Sequence, residues 1–212
     1  MDAEFWHDKW KTGEIGFHEG QPNALLVKHI AKLNLPKTSR IFLPLCGKSK
    51  DIAWLLAQGY RVVGAELSEL AVEDLFNDMG ITADVRLKTH YNHYSAANID
   101  IYVGDIFDLT PTELGEVHAI YDRAALVALP EALRLRYTQH LIALTRKARQ
   151  LLIAFEYDQT IMAGPPFHIS ADEIAKHYQT SYRIDFIERA PVKGGLKGKV
   201  PADEVVWLLR SQ

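Results

Sequence analysis

The chain has 212 residues, 48% of them hydrophobic and 24% charged, with a formal net charge of -3. That length suits one domain with a real core, and the absence of any lysine or arginine block speaks against nucleic acid as the main partner. A lone cysteine, Cys46, leaves no intramolecular disulfide framework; with no secretory signal or bilayer-length apolar run visible, the expectation is a cytoplasmic protein without a membrane partner.

In chain order, the first forty residues read as a helical extension. Phe5, Trp6 and Trp10 crowd a first helix, and Leu26, Ile30 and Leu33 fall at helical spacing in a second. A glycine-rich loop, Thr12 to Gly20, joins them. From Arg40 onward strands and helices alternate. Strands are predicted at 40–45, 61–66, 99–104, 119–122 and 150–157, and helices at 49–58, 68–79, 130–145 and 170–178. Gly80 reads as a helix C-cap, Pro130 as a first-turn proline, and Ser170 with Glu173 as a capping box. His90–Asn98 carries no motif and reads as a loop. Two strand-like runs, 182–188 and 204–209, flank Gly194–Gly198 and read as an antiparallel hairpin. The sum is an α/β fold: a mainly parallel sheet covered on both faces, a closing hairpin, and an N-terminal extension.

The stretch Arg40–Glu66 carries the most chemistry. An apolar strand enters a tight turn at Leu45-Cys46-Gly47, a helix follows, and a second apolar strand ends on Glu66. This is a βαβ unit with an acid at its second strand tip, about twenty residues past the glycine turn, where a ribose lies in nucleoside-binding sheets. Gly47-Lys48-Ser49 imitates the end of a phosphate-binding P-loop, but Phe42 stands where that loop needs its other glycine. The dinucleotide pattern G-x-G-x-x-G is absent as well. A single-glycine turn suits a cofactor without pyrophosphate, such as S-adenosylmethionine. The competing readings are a solvated Glu66 on an ordinary strand–turn–helix, a nicotinamide-dependent reductase, and a binding module without turnover.

Several stretches in one order resemble the thiopurine S-methyltransferase family, and its bacterial members most. They are Phe5–Trp10, Gly16-Phe17-His18, Leu43–Ser49, Val62–Leu70, Asp105–Leu109, Tyr121–Ala128 and Gly164-Pro165-Pro166-Phe167. The resemblance implies a Rossmann-like S-adenosylmethionine-dependent methyltransferase fold, one methyltransferase domain with residues 1–39 as a lid, and methyl transfer to aromatic or heterocyclic thiols such as thiopurines, or to selenium or tellurium species. The partner implied is a small molecule, and nothing demands more than a monomer. The final loop departs from the family pattern, carrying Lys193, Lys197 and Lys199 where mammalian relatives are expected to place an arginine.

With the resemblance added, Trp10, Leu45, Glu66, Asp105, Ile106 and Arg123 are the expected cofactor residues. Glu66 takes the ribose; Leu45 and Gly47 lie under the methionine end. Asp105 and Ile106 meet the edge and face of the adenine; their alternative is an Asx turn after a strand. Arg123, at a strand tip, can pair with the cofactor's carboxylate or face the acceptor. Phe17 is assigned to the substrate pocket and Trp6 to packing. Cys46 reads as a small turn residue, and His90-Tyr91-Asn92-His93 lacks the spacing of a metal site. No general base is evident; Asp122 is the nearest candidate.

Overall fold

Helix α1 (Ala3–Thr12) and helix α2 (Ala24–His29) build the extension in the computed structural model, which describes residues 3–16 and 18–212. Asn23 caps α2, accepting from the amides of Leu25 and Leu26, while its own amide donates to the buried carboxylate of Asp51. The helix tightens into a 3₁₀ turn at Ile30–Leu33 and stops at Asn34, whose φ is 47°.

Two compact units make up the chain, one ending at Ala119 and one running from Ile120 to Gln212. In the first, β1 (Arg40–Pro44), α3 (Lys50–Ala57), β2 (Arg61–Glu66) and α4 (Glu69–Met79) follow the expected order. Apolar runs buried on both sides make the strands: Ile41, Phe42, Val62 and Val63 are wholly buried. Ser49 caps α3, and Gly80 ends α4 with the left-handed φ of 67° expected of it. Lys48–Asp74 and Lys50–Asp78 tie the start of α3 to α4.

One expectation fails here. The segment read as a loop, His90–Asn98, holds strand β4 (Asn92–Ala96), which pairs with an unpredicted strand before it, β3 (Asp84–Leu87), and with β5 (Ile99–Val103) after it. The β4–β5 connection is a two-residue turn at Ala97-Asn98, with Asn98 at φ 65°. Polar side chains on these strands satisfy one another: His93 Nε2 lies 2.9 Å from Asp100 Oδ1, and Arg40 Nη2 donates to Asp100 Oδ2 at 3.1 Å. The strands lie in the order β3-β4-β5-β2-β1, with β1, β2 and β5 parallel. A short helix, α5 (Pro111–Leu114), closes the unit behind a complete capping box of Thr110 and Glu113.

The second unit runs β6 (Ala119–Arg123, begun in the last residue of the first), α6 (Glu131–Leu144), β7 (Arg149–Tyr157), α7 (Ala171–Tyr178), β8 (Tyr182–Pro191) and β9 (Ala202–Ser211). Its strand order is β6-β7-β9-β8, with β9 antiparallel to both neighbours, so the closing hairpin stands as expected. Pro130 sits at the N-cap of α6, one position before the turn predicted for it. Ser170 caps α7 through the amide of Glu173, but the Glu173 carboxylate turns to Arg134 and His177, so only one limb of the expected box serves as a cap. No helix among the described residues is long and apolar enough to cross a membrane.

Candidate active site

Three parallel strands of the first unit end side by side. β1 runs into Leu45-Cys46-Gly47, where Leu45 and Gly47 both take positive φ, 47° and 51°. A left-handed leucine costs on the order of 1 kcal/mol, and such strain collects at ligand sites. Cys46 is held by its amide's bond to Ala65 O at 3.0 Å. Its thiol fills the space over Gly64: a β-carbon there would lie 2.7 Å from Sγ. Burial pushes the thiol's pKa well up, which matches the structural role expected of Cys46 and gives it no thiolate character.

The tip of β2 differs from the solvated alternative. Glu66 is only 6% exposed, its Oε2 accepting from Gly47 N at 2.7 Å and its Oε1 from Ser68 N at 2.9 Å. Burial raises its pKa, and the amides of Ser68, Gly47 and Leu67 oppose the rise. Glu66 thus ties the glycine turn to the start of α4, a structural duty that the strand-tip pattern did not announce. Backbone amides do not exhaust the roughly four acceptor positions of a carboxylate, so the group fits a nucleoside with two ribose hydroxyls to donate.

The remaining candidates of this unit fall beside it. Gly104 N donates to Glu66 O at 2.9 Å, which brings Asp105 and Ile106 next to the β2 tip. Ile106 is buried, and Asp105 is exposed with its Oδ1 accepting from Phe107 N, so the Asx-type turn weighed as the alternative to an adenine contact is present. Trp10, 7% exposed, lies over the turn: its Cζ2 is 3.0 Å from where a β-carbon on Gly47 would stand. A side chain at position 47 would press on the indole and be strained at that φ. Trp6 packs edge-on against Phe5 at 5.2 Å, as its packing role required. Phe17 lies outside the described residues.

In the second unit β6 ends on Asp122 and Arg123. Asp122 is wholly buried; Tyr137 donates to its Oδ2 at 2.8 Å and the amide of Leu126 to its Oδ1 at 3.1 Å. Both oxygens are engaged inside the protein, which makes Asp122 the brace of the turn. Arg123 follows, half-buried, and Ala124 turns the chain at φ 64°. Burial lifts the Asp122 pKa to about 6. A folded value above the unfolded one means that this group's contribution to stability is fullest below about pH 4 and is lost as the pH rises to about 6. Asp122→Asn should abolish that slope. Over roughly 2 pH units at ~1.4 kcal/mol each, the variant gains on the order of 2–3 kcal/mol relative to wild type between pH 4 and 7. Urea unfolding across that range measures it; a pH-independent difference would show an unperturbed Asp122.

The segment after β7 is pinned closely within this unit. Phe167 N donates to Val127 O at 2.7 Å, Tyr157 OH to Pro166 O at 2.7 Å, and His168 N to Gln159 Oε1 at 2.8 Å. Beyond it lies an open groove of about 710 Å³ lined in part by Glu156, His168, Arg189, Lys199 and Asp203. Sequence reasoning found none of these except Lys199, whose loop it singled out for divergence.

Solved structures with this architecture include S-adenosylmethionine-dependent methyltransferases. A SAM-dependent methyltransferase from Anabaena variabilis is 18% identical over 98% of this chain and 95% of its own, with a TM-score of 0.63. Burkholderia thailandensis 1,6-didemethyltoxoflavin-N1-methyltransferase, solved with S-adenosylhomocysteine, superposes with a TM-score of 0.68 at 16% identity over 99% and 87% of the two chains. The fold is therefore that of this enzyme class. The family model for thiopurine S-methyltransferase (TPMT) matches residues 1–207. A thiopurine S-methyltransferase from Xanthobacter autotrophicus is 53% identical over 99% of both chains, and one from Teredinibacter turnerae 51% over 99% of this chain and 97% of its own. The chain belongs to the thiopurine S-methyltransferase family, and S-adenosylmethionine is its cofactor.

Proposed function

We infer that this enzyme methylates the sulfur of small aromatic or heterocyclic thiols, thiopurines among them. The observation that carries this is the 53% identity, over 99% of both chains, with a relative named for that reaction. Chemistry supports it. S-adenosylmethionine supplies an already activated methyl group on a sulfonium. The chain's work is then alignment and exclusion of water, and alignment alone contributes on the order of 7–11 kcal/mol. Such a reaction needs an acceptor that ionises without help, as heterocyclic thiols do near neutral pH. The engagement of Asp122 by Tyr137 and the Leu126 amide agrees with a site lacking a dedicated base there.

Glu66 binds the ribose, Asp105 and Ile106 the adenine, and the Leu45–Gly47 turn the methionine end, with Trp10 covering that turn. Arg123 takes the cofactor's carboxylate in a two-pronged pair, and Phe17 meets the acceptor. Selenium and tellurium species are softer acceptors of the same kind and belong in the same assay. Incubation with methyl-labelled cofactor should place label on the sulfur of 6-mercaptopurine and leave its hydroxyl counterpart unlabelled. Transfer to the hydroxyl compound alone, or to no thiol across a panel, would sink the reading. Calorimetry should show S-adenosylhomocysteine binding and NAD failing to compete.

A further inference from the structure

The β3–β4 hairpin of the first unit adds little to the core. All of β3 is exposed, and β4 buries only Tyr94. Its polar side chains are committed instead to the two flanks of the β2 and β5 tips. Tyr94 OH and Asn92 Nδ2 both donate to Glu69 Oε1, at 2.8 and 2.9 Å, on the first residue of α4. Ser68, one residue earlier, is the residue whose amide holds Glu66. Tyr91, in the connection between β3 and β4, reaches the other flank and donates to Glu113 Oε1 at 3.0 Å.

Tyr91 holds both ends of one segment. At the near end Gly104 packs under it: a β-carbon there would lie 2.8 Å from His90 O, 3.2 Å from Tyr91 Cβ and 3.3 Å from Tyr91 Cα. Only a glycine lets two stretches of backbone come that close. At the far end stands Glu113 on α5, whose Oε2 accepts from the amide and the hydroxyl of Thr110 at 3.0 and 2.6 Å. Tyr102 OH donates to Glu113 O at 2.6 Å, and the Tyr91 ring meets the Tyr102 ring edge-on at 5.2 Å. Between these anchors runs the stretch that carries Asp105 and Ile106. It is tightly wound, with Asp105 O accepting from Asp108 N at 3.0 Å and Ile106 O from Leu109 N at 3.2 Å. A shift of α5 therefore reaches Ile106 within one turn. Burial, then the bond to Glu113, pushes the Tyr91 pKa up to about 12, so the hydroxyl keeps its proton near neutral pH.

We propose that Tyr91 is a positioning residue for the cofactor's adenine: its bond to Glu113 fixes the Asp105–Ile106 segment where the base is read. The inference rests on the assignment of Asp105 and Ile106 to the adenine made above. Tyr91 acts through the segment it spans, so its effect falls on the base and not on the ribose or methionine ends.

Two ligands that differ in the base test it. S-adenosylhomocysteine, and S-ribosylhomocysteine, which lacks the adenine, are titrated calorimetrically into the wild type and its variants. The ratio of the two affinities reads the base. Tyr91→Phe removes the hydroxyl and keeps the ring against Tyr102. It should weaken S-adenosylhomocysteine about three- to tenfold, as the loss of one hydrogen bond does, and leave S-ribosylhomocysteine unchanged. In a Glu113→Ala background Tyr91→Phe should bring no further loss, since the two share one bond. A tether that served the fold alone would lower the melting temperature and leave the ratio at its wild-type value. That result, an equal loss for both ligands, or a Tyr91→Phe loss that persists in Glu113→Ala would overturn the proposal. Ile106→Ala separates it from the reading beneath it. A wild-type ratio in Ile106→Ala overturns the adenine assignment, and this inference with it. A lowered ratio in Ile106→Ala beside a wild-type ratio in Tyr91→Phe overturns the inference alone.

Discussion

Arg134→Ala should destabilise the fold by about 3–5 kcal/mol, the usual cost of stripping one partner from a buried ion pair. Arg134 on α6 is 6% exposed, and its Nε lies 2.6 Å from Glu173 Oε1 on α7. Its Nη1 also donates to Leu129 O at 3.3 Å, and its guanidinium stands 5.7 Å from the centre of the Phe167 ring. His177 Nε2 completes the cluster at 3.2 Å from the same Glu173 oxygen. Without Arg134, the Glu173 carboxylate loses its guanidinium partner where α6 packs against α7. At about 2–4 °C per kcal/mol for a chain of this size, the melting temperature should fall by roughly 6–20 °C. The cause can be separated from lost volume. Arg134→Met with Glu173→Leu removes both charges and keeps most of the packing, so it should recover much of the loss. A double variant as unstable as Arg134→Ala would show that the contact with Phe167 and the bond to Leu129 O, not the charge balance, carry the stability.

That cluster also shows where the sequence stopped being legible. Ser170 and Glu173 have capping-box spacing, and Ser170 does cap α7. Spacing along a helix cannot say that the glutamate has a stronger partner thirty-nine residues earlier, on another helix. The βαβ unit was readable because its signals are local: apolar runs, a glycine turn, a terminal acid. The β3–β4 hairpin was missed because Asn92–Ala96 buries only Tyr94, so the strand shows no apolar alternation. Its polar groups are satisfied by Asp100 and Glu69 from elsewhere in the unit, which no window of sequence shows. Asn98 in a left-handed turn just before the Ile99 strand was the available signal. Among site residues, Glu66 was legible as a strand-tip acid, but its bonds to Gly47 and Ser68 depend on how the turn folds back. The groove of Glu156, Arg189 and Asp203 depends on strand register, which the paired runs 182–188 and 204–209 did not fix.

Glu66→Gln should lower cofactor affinity about ten- to a hundredfold, since bonds to a charged acceptor are worth roughly 1.5–3 kcal/mol each and 1.4 kcal/mol is tenfold. Glutamine is the informative substitution. Alanine would leave the buried amides of Gly47 and Ser68 without their acceptor, at about 1–3 kcal/mol apiece, and would collapse the turn along with the ribose contact. Glutamine keeps the shape and one acceptor oxygen, so the first unit should still fold, with a modest drop in melting temperature from an amide NH₂ facing a backbone N–H. The wild type should carry a pH signature that the variant lacks. Burial holds the Glu66 pKa above its ordinary value. Ribose hydroxyls donate to the ionised form, so affinity is full above that raised pKa and falls as the pH drops through it. Calorimetric titration with S-adenosylhomocysteine from pH 8 down to the limit of stability should show the decline in wild type and a flat line in Glu66→Gln. A folded Glu66→Gln that binds as the wild type does would place the ribose elsewhere, and Glu66 would be left as the clasp between the Gly47 turn and α4. A pH decline that persists in the variant would assign it to another group.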